Sequence, residues 1–152
     1  MRSAQVLVQR KPEDWRARKR KDYFKDMIQE QEELIGHTVH VWKNSSYYER
    51  LINLQEELGD TIYIEPLRGD ILAEELIDWV ADGLIDFTVT DQNVAQINQR
   101  YHPNIDISVE LSVKQNIAFA LRQSSLELRE DFNAWFDDFK ETTTFRYILH
   151  KY

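Results

Sequence analysis

The regular exchange between two hydrophobic periods limits the folds open to this chain more than any other feature. Segment 37–42 (HTVHVW) alternates in polarity and places Val39 and Val41 on one face, which predicts a strand. Segment 46–58 then carries apolar side chains at helical spacing and stops at Gly59, which predicts a helix. The exchange recurs, and the predicted order is β-α-β-α-β-α-β-α-β-β-α-α. This order indicates an α/β fold of three layers, with helices covering both faces of a mainly parallel sheet.

The other elements are predicted from the same two patterns. Strands are expected at 5–9, 61–65, 85–89, 105–111 and 116–122, and helices at 14–35, 70–81, 91–100, 124–140 and 142–151. Right-handed crossovers bring the ends of parallel strands and the starts of the following helices to one edge of the sheet. Small ligands usually bind at that edge in such folds.

Composition excludes several classes of protein. The 152 residues suffice for one domain, or for one lobe of a larger one. No cysteine is present, so disulfides and thiol chemistry are excluded, and no apolar run is long enough to predict a membrane span or a signal peptide. Acidic residues outnumber basic ones by 27 to 19, a net charge of −8. Because phosphate backbones are held by Lys and Arg, no nucleic-acid partner is expected.

One basic run departs from this acidic balance. Between Arg10 and Lys25 the sequence has eight basic residues and three acidic ones. Two interpretations remain open for it. It is either a solvated helix or loop, or a surface that contacts acidic lipid or cell-wall polymer.

Polar residues follow the strand at 37–42 and begin the next helix. Ser46 and Glu49 have the spacing of a capping box, in which side chains bond the free N–H groups at a helix start. The same N–H groups and the helix dipole favour a bound carboxylate. Capping alone and ligand contact are both open at this point. Trp42 alternates away from the apolar strand positions, so its ring is a candidate to line a pocket.

Two aspartates also stand at predicted helix starts. Asp91 follows the strand at 85–89 and is expected either to cap the next helix or to face an ammonium group across a cleft. Asp70 is predicted to be a cap. No catalytic or phosphate-binding motif occurs, and the four histidines are scattered. No cofactor, no metal site and no catalytic residue is therefore predicted.

Three stretches of the chain together resemble a known family. They are ELIGHTVHVWKNSSYYERLINLQEELGD, EELIDWVADGLIDFTVTDQNVA and NIAFALRQSSLELREDFNAWFDDFK. As an ordered set they look like the extracellular solute-binding proteins of family 3. The resemblance is greatest to the binding domain of proteins like membrane-bound lytic murein transglycosylase F from Bacteroidetes, which QVLVQRKPEDW also resembles.

The resemblance implies a type II periplasmic binding fold, in which two α/β lobes joined by hinge strands clamp a ligand. Residues 5–9 would be the outgoing hinge strand, 12–115 the second lobe, 116–121 the returning hinge strand, and 122–152 a helical tail that packs on the first lobe. Most of that first lobe, and the lytic domain with its catalytic glutamate, are expected to lie outside residues 1–152.

The family pattern also implies site residues. The Ser/Thr-bearing helix start that meets the ligand carboxylate maps onto Asn44, Ser45 and Ser46, and the aspartate that meets the ligand amino group maps onto Asp91. Asn44 departs from the usual glycine, but Asn tolerates positive φ. The arginine that pairs with the carboxylate would come from the first lobe.

Two functions remain as hypotheses. The first is a non-catalytic, periplasmic or envelope-located module, membrane-anchored through its parent protein, that binds an amino acid, peptide or muropeptide between lobes. The alternative is an interaction or scaffolding lobe with no small-molecule ligand, self-associating through apolar tail-helix residues (Phe132, Trp135, Phe136, Phe139 and Tyr147).

Overall fold

The computed structural model describes residues 2–69 and 71–151. Its strands are β1 (Arg2–Ser3), β2 (Gln5–Arg10), β3 (Thr38–Trp42), β4 (Tyr63–Leu67), β5 (Phe87–Asp91), β6 (Ile105–Asp106) and β7 (Gln115–Asn116). Its helices are α1 (Arg20–Tyr23), α2 (Ser46–Leu58), α3 (Ala73–Asp82), α4 (Gln92–Gln99), α5 (Leu126–Lys140) and α6 (Thr143–Lys151).

Five strands form the main sheet in the order β4-β3-β5-β2-β6. β3 is parallel to both β4 and β5, whereas β2 is antiparallel to β5 and β6. Four of the five strands therefore point the same way, and only β2 runs against them. The predicted α/β class with a mainly parallel sheet is confirmed.

Helices cover both faces of this sheet because its inner strands are apolar on both sides. Leu7 and Val39 pack with Leu51 and Leu54 of α2 in one buried cluster. Val6 and Val8 lie in a second cluster with the apolar side of α3, which contributes Ile77 and Val80. Burial on both faces explains why QVLVQ reads as a nearly continuous apolar run rather than as an alternating one.

The helix predicted at 14–35 was wrong. Only α1 and two short 3-10 turns, Phe24–Asp26 and Gln31–Leu34, are helical there. Backbone at Met27 is extended. The buried amide of Gln9 holds Ile28 through both its N–H and its carbonyl group. These tertiary bonds fix the backbone that a continuous helix would otherwise satisfy internally.

Three strand predictions also need correction. The strand expected at 61–65 is β4 and continues to Leu67, so Pro66 lies inside it; this is tolerated because β4 is an edge strand. The strand expected at 105–111 is regular only in β6, with one further bridge between Val6 and Glu110. The strand expected at 116–122 is limited to β7, which pairs with β1.

The chain divides into two compact units, one ending at Asn116 and one beginning at Ile117. The second unit contains α5 and α6, whose rings form an aromatic cluster with Phe119 of the segment before α5; the other members are Phe132, Trp135, Phe136, Phe139 and Phe145. In residues 2–69 and 71–151, no helix is long and apolar enough to cross a bilayer. The hinge and tail boundaries at 5–9, 12–115, 116–121 and 122–152 remain predictions.

Candidate functional site

One edge of the main sheet gathers the predicted site residues. β3 and β5 are parallel neighbours, so their last residues, Trp42 and Asp91, lie at the same edge. The helices α2 and α4 begin directly after these strands. Because β2 runs the other way, its first residue, Gln5, lies at this edge too and is paired in register with Asp91.

The turn between β3 and α2 requires a left-handed residue. Asn44 supplies it with φ of 63°, and no other described non-glycine residue has a positive φ. Asn adopts this conformation at lower cost than most side chains. The expectation that Asn44 can stand where the family pattern has glycine therefore agrees with the backbone seen here.

Ser45, not Ser46, caps α2. The Ser45 hydroxyl accepts a hydrogen bond from the Tyr48 amide over 3.2 Å and donates one to the Trp42 carbonyl over 2.6 Å. The capping box predicted for Ser46 and Glu49 was wrong by one residue, since Ser45 alone has the extended backbone of a cap. Ser45 is buried in this role, whereas Ser46 is exposed.

Ser46 offers a hydroxyl to solvent at the first position of α2. That hydroxyl accepts a hydrogen bond from the Gln5 side-chain amide over 3.2 Å. The first backbone N–H groups of any α-helix lack intrahelical acceptors, so the start of α2 also presents free donors. Donors at a helix N-terminus favour a carboxylate group.

Asp91 is held by a tyrosine that sequence reasoning did not select. The Tyr47 hydroxyl donates to the Asp91 carboxylate over 3.1 Å. Burial raises the pKa of Tyr47, and the nearby Asp91 carboxylate raises that pKa further. Asp91 stands at the cap position of α4, but its side chain makes no capping bond, so the expected capping role was wrong.

Trp42 also lies at this edge, with 47% of the residue exposed. Its indole N–H donates to the Gly69 carbonyl over 3.1 Å, which fixes the ring beside the turn after β4. The structure thus brings Trp42, Asn44, Ser45, Ser46 and Asp91 to one edge. Asp70 lies outside the described residues.

Sequence reasoning missed Tyr47 and Gln5 for different reasons. Tyr47 fits the apolar spacing of α2 and contacts the core, so its place in the helical pattern does not indicate a polar role. Its hydroxyl, placed in the first turn, was the available signal for a polar role. Gln5 gave no signal, because its neighbours at this edge come from segments far away in sequence.

A cavity with a volume of about 690 Å³ lies elsewhere in the described residues. His37, which directly precedes β3, and Phe87, which begins β5, line it together with the end of β2. It is therefore at the edge of the sheet opposite to Ser46 and Asp91. At the candidate site Trp42 and Ser46 are exposed, and the chemistry of its side chains identifies it.

The chain is similar to part of several longer proteins, although no protein-family model matches it. A Desulfosudis oleivorans protein named membrane-bound lytic murein transglycosylase F is 39% identical over 119 residues, covering 78% of this chain and 26% of the relative. A Saccharophagus degradans protein of the same name is 36% identical over 112 residues, covering 73% of this chain and 22% of the relative. The chain thus spans about a quarter of the length of these relatives.

Solved structures show the same fold at low sequence identity. An ancestral arginine-binding protein bound to arginine aligns with a TM-score of 0.72 at 21% identity, covering 99% of this chain and 60% of that chain. The GluR0 ligand-binding core in complex with L-glutamate aligns with a TM-score of 0.62 at 12% identity, covering 88% and 52%. Neither the relatives nor these structures support the narrower resemblance to Bacteroidetes proteins, which stays a prediction. The chain has the fold of a type II periplasmic binding protein lobe, and its sequence is similar to part of proteins named membrane-bound lytic murein transglycosylase F.

Proposed function

We propose that this chain is the second lobe of a non-catalytic solute-binding module in a cell-wall lytic transglycosylase-like protein of the periplasm or cell envelope. It binds an amino acid, a short peptide or a muropeptide against a first lobe. One observation carries the proposal. A helix start with free donors at Ser46 and a carboxylate at Asp91 stand at one sheet edge, on the fold found in arginine-binding proteins.

The two groups have the complementary charges that a zwitterion needs. The N-terminus of α2 attracts the ligand carboxylate, and the Ser46 hydroxyl adds a hydrogen bond. The Asp91 carboxylate attracts the ligand ammonium group, and the Tyr47 hydroxyl orients that carboxylate. Trp42 supplies an exposed apolar ring beside them. Ser45 acts indirectly, because it is occupied with capping.

Titration of isotope-labelled protein with amino acids and peptidoglycan stem peptides tests the proposal by NMR. We expect the amide signals of Ser46, Tyr47 and Asp91 to shift in this chain at millimolar ligand, and at lower concentration in the two-lobed parent protein. Asp91→Asn should abolish the shifts. Asp86→Asn is the matched control, since Asp86 is exposed just before the opposite end of β5. Failure of every ligand to shift these signals in both proteins rejects the proposal.

We propose no hydrolytic or lytic activity for this chain, in line with its match to about a quarter of each relative. Incubation with purified peptidoglycan should release no soluble fragments. Release that survives repurification and is lost on a point substitution in this chain would contradict this part of the proposal.

A second candidate is an interaction lobe without a small-molecule ligand, favoured by exposed apolar side chains in the second unit. Trp135 is 54% exposed and Tyr147 is 65% exposed. In the first proposal a first lobe would cover this surface. In the second candidate another copy would cover it, and Trp135→Ser with Tyr147→Ser would then convert a dimer to a monomer in sedimentation analysis.

A further inference from the structure

The segment between β2 and β3 carries the basic run, and its fold separates paired from unpaired charges. The Arg18 guanidinium bonds Asp14 over 3.3 Å and Asp26 over 2.7 Å. It also donates to the Asp22 carbonyl. Arg18 therefore neutralises two of the acidic side chains and ties the segment together. The positive charge of Arg18 is therefore neutralised within the segment.

Most other basic side chains of this segment are exposed to solvent. Five exposed basic side chains, which we call the basic face, follow Trp15: Arg16, Lys19, Arg20, Lys21 and Lys25. Among residues 2–69 and 71–151, no carboxylate lies within ion-pair distance of any of them. Asp22 is the one acidic side chain between Arg16 and Lys25. The basic face is thus strongly positive on a chain whose net charge is −8.

Two aromatic rings make cation–π contacts with basic side chains of this segment. The Trp15 ring lies under the Lys11 ammonium at 4.6 Å and the Arg16 guanidinium at 5.3 Å, and it meets the buried Tyr23 edge-on. The Phe24 ring lies under the Arg20 guanidinium at 5.3 Å. These cation–π contacts hold the three cations against the aromatic rings. An ordered set of charges loses less entropy when it docks.

The basic face lies away from the candidate ligand site. Lys25 lines the large cavity together with Arg10 and Phe87, at the end of the sheet where β2 finishes and β5 begins. Asp91 lies at the other end of β5, at the edge of the sheet where Ser46 begins α2. A partner held by the basic face therefore leaves the candidate ligand site uncovered.

We propose that the basic face docks on the surface of an anionic phospholipid bilayer. Charge complementarity selects the partner, because five unpaired cations meet many phosphates at once on an extended surface, and each Lys or Arg strengthens adsorption about five-fold. The Lys11 and Arg16 cations lie over the Trp15 ring, and this combination of residues is typical of the membrane interface. The acidic remainder of the chain is repelled, so the basic face is the part of the chain that contacts the lipid.

Co-sedimentation of the 152-residue chain with vesicles tests this inference. We expect binding to vesicles of phosphatidylglycerol and phosphatidylcholine, none to phosphatidylcholine alone, and a loss of binding as salt is raised. Lys21→Glu with Lys25→Glu should weaken binding about ten-fold or more. Arg122→Glu with Arg129→Glu is the matched control, because both arginines are exposed in the second unit and the net charge changes equally. This control should stay within about two-fold of the original chain.

Three outcomes would overturn the inference. One is absence of binding to anionic vesicles by the original chain at low salt. Another is equal weakening by the two double substitutions, which would show an effect of net charge alone. The third is binding to purified peptidoglycan, through its stem-peptide carboxylates, without binding to vesicles. Circular dichroism spectra of the variants verify that each is folded before the comparison is made.

Discussion

The hydroxyl of Tyr47 donates a hydrogen bond to the carboxylate of Asp91 over 3.1 Å, and this bond joins the first turn of α2 to the end of β5. It links the two helix starts on which the proposed ligand site depends. Because Tyr47 is half-buried against the core, the bond also fixes the Asp91 side chain relative to the sheet.

Alkaline unfolding should report this bond. Burial and Asp91 raise the pKa of Tyr47 above its usual value of 10.0. The folded protein thus holds the phenolic proton more tightly than the unfolded chain does, so the contribution of Tyr47 to stability is constant at neutral pH and is lost as pH rises above about 10. Tyr47→Phe should lower the free energy of unfolding by about 1 kcal/mol at pH 7, with a smaller difference above pH 10. Urea unfolding across this pH range measures both effects.

Tyr63→Phe is the control for this experiment, since Tyr63 is exposed in edge strand β4. Tyr63→Phe removes only an exposed hydroxyl group and should leave the pH dependence of the free energy of unfolding the same as in the original chain. A Tyr47→Phe protein that matches the original chain at every pH would show that the bond to Asp91 is absent in solution.

The adjacent serines should separate capping from ligand contact. Ser45→Ala removes the cap of α2 and should cost about 1 kcal/mol of stability, whereas Ser46→Ala removes an exposed hydroxyl and should cost less than about 0.5 kcal/mol. In the proposed function, Ser46→Ala weakens ligand binding although stability is kept. Thermal unfolding and NMR titration measure the two quantities. Equal destabilisation by both substitutions would contradict the assignment of Ser45 as the cap.

Local sequence patterns were sufficient for the elements that carry the site. The helix at 46–58 was predicted with its observed bounds, because Leu51 and Leu54 follow the helical period and Gly59 takes the left-handed conformation that ends it. The edge location of Asp91 followed from topology alone. Parallel neighbours end at one edge, whatever the details of their side chains.

Long-range contacts decided what the patterns could not. The apolar side chains between residues 14 and 35 satisfy a helical spacing, but the amide of Gln9 binds Ile28 in extended backbone. The bond between Tyr47 and Asp91 likewise joins helix α2 to strand β5 and could not be found from spacing within either segment. Both features depend on contacts between residues far apart in sequence, which a one-dimensional pattern does not encode.

The turn before α2 should respond to the residue at position 44 according to backbone conformation. Asn44 has φ of 63°, in the left-handed region of the backbone. Alanine adopts this conformation at a higher free-energy cost than asparagine, so Asn44→Ala should lower the free energy of unfolding by about 1 kcal/mol. Asn44→Gly should remain within about 0.5 kcal/mol of the original, because relief of strain offsets the added freedom of the unfolded chain. Lys43→Ala, at the preceding exposed position, is the control. Equal effects of Ala and Gly at position 44 in urea unfolding would contradict the strained turn.

The side-chain amide of Gln9 should hold the segment between β2 and β3 to the sheet. Gln9 is buried, its Nε2 donates to the Ile28 carbonyl over 2.7 Å, and its Oε1 accepts from the Ile28 amide over 3.0 Å. Gln9→Ala leaves both backbone groups without this partner and should cost about 2–4 kcal/mol, with faster hydrogen exchange at Ile28. Gln31→Ala, which removes an exposed bond to the Glu110 carbonyl, should cost less than about 1 kcal/mol. If Gln9→Ala leaves exchange at Ile28 unchanged, then the segment is held by its apolar contacts and not by this amide.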